Sequence, residues 1–277
     1  MTASIAATVA FPSPSIHAAP SGSAITAAGS ASSTTRPLTD ALTDALIARI
    51  EARGLDVELM ARLGVEASDR LAEGIAIPFV ESGVVVARKH RTLGDDKRFT
   101  QDAGGRQILW NVDCLADDTL AAEPLIVTEG ELDAIAAIQA GFPRTVSVPG
   151  GAPAEKNANR HYAFLDSVET QLLACREIIL AVDDDGPGNN LLHDLAQRLG
   201  RHRCRWLRYP EGTKDLNDVL RLGGVEQVRA TIAGAQPMKM EGVYRLSELP
   251  PVPQRPALTI GVAGLDPHYR IGAATSA

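Results

Sequence analysis

Between residues 124 and 222 short apolar runs alternate with stretches whose apolar positions recur at helical spacing. The runs predict strands at Leu125–Thr128, Thr145–Val148, Ile178–Val182 and Cys204–Tyr209. The stretches between them predict helices at Leu132–Ala140, around Tyr162–Ala174, at Asn190–Leu199, and after Lys214 through Leu222. Unbroken apolar runs are what strands buried on both faces require, and strand–helix alternation builds a mostly parallel sheet. The fold class expected is therefore α/β. Upstream, Leu42, Leu46, Ile47 and Ile50 predict one short helix stopped at Gly54, and Val57–Leu63 a second stopped at Gly64. A hairpin follows, with strands Ile75–Val80 and Val84–Arg88 joined at Glu81-Ser-Gly83.

These patterns divide the 277 residues into four parts. Residues 1–36 are expected to be a disordered tail: no Lys, Arg, Asp or Glu precedes Arg36, and Pro12 and Pro14 break any signal-like apolar core. Residues 37–122 hold the helical lead-in and a small mixed α+β subdomain. Its basic run carries Arg88, Lys89, His90, Arg91, Lys97 and Arg98 beside Phe99, while Trp110 reads as core. Residues 123–235 form the α/β domain, and residues 236–277 a proline-rich linker leading into a further segment.

The net charge of −7 argues against a uniformly basic nucleic-acid-binding surface and leaves room for a local patch. Cys114, Cys175 and Cys204 offer neither zinc spacing nor a disulfide framework, so no zinc is expected and a reducing, cytoplasmic setting is. No apolar stretch reaches the roughly 18 residues of a membrane span.

Chemistry collects where two strands end. Leu125–Thr128 runs into Glu129-Gly-Glu131 and Asp133, and Ile178–Val182 runs into Asp183-Asp-Asp185-Gly-Pro-Gly188. Ligands of open α/β sheets sit at this carboxyl edge. Asp183 and Asp185, two apart in extended backbone, face one side and can share a metal ion. Magnesium usually takes one or two carboxylates and completes its shell with water and phosphate oxygens. Glu129 can act as ligand or general acid/base, Asp215 can complete the cluster, and Lys214 can meet a triphosphate. Each also has a plain structural reading. Asp-Gly-Pro-Gly makes a solvated turn, Glu129, Glu131 and Asp133 suit a helix N-terminus, and Lys214–Asp215 suits a surface ion pair.

As a set, these residues resemble the Toprim domain of primases, topoisomerases and some nucleases. The pattern is Glu129-Gly130 with Asp133, then Asp183-x-Asp185 with Gly188, over about residues 123–222. Val146-Ser-Val-Pro-Gly-Gly-Ala152 is similar to a primase turn, and Lys214-Asp215-x-Asn217-Asp218 to a segment of phage primase–helicases. The lead-in helices and basic subdomain resemble those of phage and Twinkle-like primase–helicases, and Thr259–Arg270 resembles the entrance to their helicase domain. A Gly-x-x-x-x-Gly-Lys-Ser/Thr loop is absent, so the expectation is a primase-type part without its motor.

The resemblance implies a Toprim-type, mostly parallel sheet flanked by helices. It implies RNA primer synthesis on single-stranded DNA from nucleoside triphosphates with Mg2+ or Mn2+, as part of a primase–helicase, with a replicative helicase domain or subunit as a further partner and no membrane. It assigns Glu129, Asp183 and Asp185 to catalysis and, with Asp215, to metal. Arg88, Lys89, Arg91, Lys97, Arg98 and Lys214 fall to nucleotide or DNA. Two other readings stand beside it: a catalytically weak module that binds DNA or a helicase partner, and a haloacid-dehalogenase-type phosphatase, whose opening motif Leu180–Gly186 resembles with Pro187 in place of the expected Thr.

Overall fold

A computed structural model of the chain describes residues 42–94, 96–152 and 159–239, with 257–258, 261 and 271–272. The expected tail at 1–36 and most of the expected segment at 236–277 lie outside the described residues.

Two short helices lead in: α1 (Asp44–Glu51), capped by the Thr43 hydroxyl, and α2 (Val57–Arg62), capped by Asp56. Each cap oxygen accepts one of the amides that a helix start leaves unbonded. A four-stranded antiparallel sheet follows in the order β1 (Glu66–Ala67), β2 (Gly74–Glu81), β3 (Val84–Thr92) and β4 (Phe99–Gln101). The hairpin is longer than the sequence predicted. The basic run is not a loop beyond the strand but its second half, and β4 pairs with it through Lys89↔Gln101 and Arg91↔Phe99.

The second sheet has the order β6-β5-β7-β8-β9, made of β5 (Leu125–Thr128), β6 (Thr145–Ser147), β7 (Ile178–Ala181), β8 (Cys204–Trp206) and β9 (Gln236–Pro237). All pairings are parallel except β8–β9. Every residue of β5 and β7 is buried, as central strands covered on both faces must be. The helices are α3 (Glu131–Gln139), α4 (Glu169–Ala174), α5 (Gly186–Leu199) and α6 (Leu216–Ala233). A further strand pair joins β10 (Ala257–Leu258) to β11 (Ile271–Gly272).

Three expected elements take a different form. The helix around 162–174 is 3-10 over Asn159–Val168 and α-helical only from Glu169. Helix α5 begins at Gly186, so Gly-Pro-Gly is its first turn and not a free loop. Asp185 caps it through the Gly188 amide, and a proline costs nothing where the amide would be unbonded anyway. The helix expected to end at Leu222 breaks at Gly224 (φ 71°) and then runs on to Ala233. The sheet also takes in Gln236–Pro237, just past the boundary expected at 235.

The two sheets are stitched together. Trp110 is buried, as its sequence context predicted, and exchanges backbone bonds with Ser147 at the edge of β6. Asp113 accepts the Ser82 and Gly83 amides at the tip of the β2–β3 hairpin. Cys114, Cys175 and Cys204 are buried free thiols, with burial pushing Cys204 up to about 11.

Candidate active site

In the order β6-β5-β7-β8 the chain leaves β5 toward one edge and β7 toward the other. The crevice between their carboxyl ends is the switch point at which such sheets bind ligands. Register puts Thr128 opposite Ala181, so Glu129 and Asp183 emerge side by side. The Asp183 amide donates to Glu129 Oε2 at 3.4 Å, and the Ala152 amide, from the glycine-rich turn after β6, donates to Oε1 at 3.2 Å. Three strand ends thus meet on one carboxylate.

Asp183 pairs with Lys214, whose Nζ lies 3.2 Å from Oδ2. The Lys214 carbonyl receives the Asp184 amide at 2.8 Å, which holds the loop after β8 against the end of β7. Asp185 and Asp215 cap α5 and α6, each giving Oδ1 to the amide three residues on. In place of a free turn and a Lys214–Asp215 pair, both acids are helix caps, and capping takes one carboxylate oxygen of two. Gly188 is needed because a side chain there would overlap the Asp183 carbonyl.

Burial first, then the neighbouring acids, pushes Glu129 and Asp183 above the usual carboxylate range, while Lys214 pulls Asp183 back. Such mutual repulsion is what a divalent cation would relieve. Among the described residues no three acidic, His or Cys side chains stand close enough to enclose a metal by themselves. The donor set still fits magnesium, which needs one or two carboxylates and keeps its waters. Asp183 with one of Asp185, Glu129 and Asp215 would hold it directly, and the others would meet its waters.

The structure divides the basic residues. On β3, Lys89 and Arg91 share one face and Arg88 the other. Lys89 Nζ lies 2.8 Å from Glu131 Oε1, a buried carboxylate on the first turn of α3. Burial lowers Arg91 while the charges of Glu131, Asp133 and Asp215 sustain it, so this side chain faces the acidic strand ends. Phe99 is 53% exposed, with Arg91 and Lys89 at 5.1 and 5.8 Å from its ring centre. Arg88 lines a separate groove with Arg70, His90 and Asp102, and Lys97 and Arg98 are exposed beyond β3.

Sequence reasoning left Asp133 and Glu131 out of the site. Asp133 is buried, accepts the Asn217 amide at 2.9 Å, and is raised well above its usual range by burial and by Asp215 and Asp183. Asp133 stands in the Glu129-Gly130…Asp133 pattern, and that was the usable signal. Asn217 in turn receives Arg53 Nη1 on Oδ1 and donates Nδ2 to the Arg53 carbonyl.

No helix among the described residues is long and apolar enough to cross a membrane. A Toprim-like family profile matches residues 126–220. The chain is 32% identical over 194 residues to the Twinkle homolog protein, chloroplastic/mitochondrial, of Arabidopsis thaliana, covering 65% of this chain and 26% of that protein. It therefore spans about a quarter of that relative's length. The Gene 57 protein of Mycobacterium phage D29 is 30% identical over 152 residues, covering 53% of this chain and 89% of that protein. The primase fragment of the bacteriophage T7 primase–helicase protein superposes with a TM-score of 0.53 at 21% identity, over 66% of this chain and 72% of that one, a likeness of fold. With the carboxylates of the Toprim pattern gathered at one sheet edge, the chain belongs with the phage Gene 57 protein to a family built on a Toprim-like domain.

Proposed function

We propose that the chain is the nucleotidyl-transferring part of a primase–helicase, making RNA primers on single-stranded DNA. The observation that supports this reading is the meeting of Glu129 and Asp183 at the β5–β7 switch point, with Lys89 of the basic subdomain paired to Glu131 and Arg91 under the charges of Glu131, Asp133 and Asp215. Asp183 and Asp185 would hold the divalent cation, with Asp215 reaching it through a bound water. A bound Mg2+ or Mn2+ supplies activation of a primer 3′-hydroxyl and charge neutralisation on the triphosphate.

The chain's own residues do the rest. Arg91 and Lys214 bind triphosphate oxygens, and Phe99 offers a face for a base. Arg88, Lys97 and Arg98 extend the cationic surface along the template strand. Glu129, raised above its ordinary value by burial and by Asp183, receives the proton of the attacking hydroxyl. The 3′-oxygen bonds to the α-phosphorus, and pyrophosphate leaves with the electron pair of the broken P–O bond. Such a part works in the cytoplasm of a bacterial or phage-infected cell, supplied with template by a helicase domain or subunit.

The test is incorporation of labelled ribonucleotides on single-stranded DNA with Mg2+ or Mn2+. Asp183→Ala with Asp185→Ala should abolish it while leaving DNA binding in place. Template binding by the wild-type chain with no incorporation under any divalent metal would replace this reading with that of a non-catalytic DNA-binding module.

A further inference from the structure

One polar group at the carboxyl edge is sealed from water yet bonded to nothing. Beyond β8 the chain keeps the alternation of a strand: Leu207 is buried, Arg208 exposed, and Tyr209 turns back inward. The Tyr209 hydroxyl is buried and has no hydrogen-bond partner among the described residues. A buried hydroxyl left unbonded is costly, and in native proteins it commonly marks a place where a missing ion, water or ligand belongs.

Its surroundings identify the ligand class. After burial, the influences on the phenol are Asp133, Asp183, Asp215 and Glu129, every one a carboxylate of the candidate site, and together they push it well above its ordinary range. Tyr209 is thus a buried, unbonded hydroxyl within the electrostatic reach of the site's acids, with an oxygen able to accept. Other buried atoms without partners have nearer explanations. Arg91 Nε and Glu131 Oε2 belong to side chains already engaged with the charged cluster, and the remaining nitrogens of Arg144 bond to Ala121, Glu123 and Cys175. A hydrated divalent cation supplies the donor that the phenol oxygen lacks. Its bound waters are strong hydrogen-bond donors, and magnesium retains several of them.

We propose that Tyr209 is a positioning residue for the hydrated cation: its oxygen accepts a hydrogen bond from a cation-bound water. The inference rests on the metal-dependent reading above. It adds a member outside the acidic motif, contributed by the loop after the fourth parallel strand. Partners of this kind orient ligands and commonly change metal affinity by 10- to 100-fold when removed.

The test is Mn2+ binding to the full chain, followed by electron paramagnetic resonance or calorimetry without nucleotide or DNA, for wild type, Tyr209→Phe and Asp183→Ala. Phenylalanine keeps the ring and its packing and deletes only the hydroxyl. The expected result is Mn2+ affinity at least about tenfold weaker in Tyr209→Phe, with the melting temperature of the metal-free protein unchanged or higher, and weaker binding still in Asp183→Ala. Wild-type affinity in Tyr209→Phe, with Asp183→Ala impaired, would overturn the role of Tyr209 and leave the metal site standing. Failure of the wild-type protein to bind Mn2+, or full binding by Asp183→Ala, would overturn the metal site, and the role of Tyr209 with it.

Discussion

The ammonium of Lys214 sits 3.2 Å from Oδ2 of Asp183, so the carboxylate at the centre of the switch point already has a counter-charge. Asp183 in turn raises Lys214 above its usual range, offsetting the effect of burial. On the proposed metal-dependent reading, the lysine is a competitor that a cation at Asp183 would displace.

Lys214→Ala should therefore move the acidic limb of Mn2+ binding to higher pH. Lys214 favours the ionised form of Asp183, and without it the carboxylate keeps its proton further up the scale. Above that limb the variant should bind Mn2+ at least as tightly as wild type, because a competitor is gone. A pH series of Mn2+ titrations decides it, and an unmoved limb would mean that the pair has no influence on the site.

Stability should depend on pH in the sense opposite to ordinary acid denaturation. Glu129, Asp133 and Asp183 are all raised in the folded chain, so the folded state binds more protons than the unfolded state between the two sets of values. Their contribution is fully present below the unfolded range of about 4 and is lost as pH rises through the folded values. The metal-free protein should melt at progressively lower temperature as pH climbs above about 4–5, other groups being equal, and a divalent cation should restore the loss. Replacing Asp183 by Asn should flatten the dependence, which scanning calorimetry with and without Mg2+ would record.

Two glycines two residues apart should respond in opposite ways. A side chain at Gly188 collides with the Asp183 carbonyl, whereas one at Gly186 meets open space in the first turn of α5. Gly188→Ala should cost about 1–3 kcal/mol and displace Asp183. Gly186→Ala should be neutral or stabilising by up to about 1 kcal/mol. Urea denaturation of both variants, together with Mn2+ binding, separates the two effects.

The Lys89–Glu131 pair offers a test of how the two sheets are joined. Their side chains are only 12% and 1% exposed, so breaking the pair strands a charge away from water. Lys89→Met alone should cost about 3–5 kcal/mol, while Lys89→Met with Glu131→Leu should recover much of that, because no lone charge remains. Chemical denaturation of the single and double variants gives the coupling directly.

The strands that carry the site were legible because they are buried on both faces: Leu125–Thr128 has the bounds read from the sequence, and Ile178–Ala181 is one residue shorter. What escaped notice depends on long-range partners. Phe99-Thr-Gln101 is too short and polar to announce a strand, and exists because Lys89 to Arg91 offer it an edge. Gly186-Pro-Gly188 has the composition of a turn, and becomes helix because Asp185 caps it and Asp183 leaves no room for a side chain. Glu131 and Asp133 read as helix-end decoration, since nothing local reveals that Lys89, forty-two residues earlier, and Asn217, eighty-four later, turn them into buried partners.

Asn217 settles how small a working version of the chain can be. It binds Asp133 with its amide and both gives to and takes from Arg53 with its side chain, while Gln139 grips the Gly54 carbonyl and the Asp56 amide. The lead-in helices are thereby fastened to the underside of the acidic centre. Trimming the protein to the boundaries of its recognisable domain would leave Asn217 without its partner and loosen the residue that steadies Asp133. For expression, and for any natural shortening of the gene, the indivisible unit reaches back at least to Arg53.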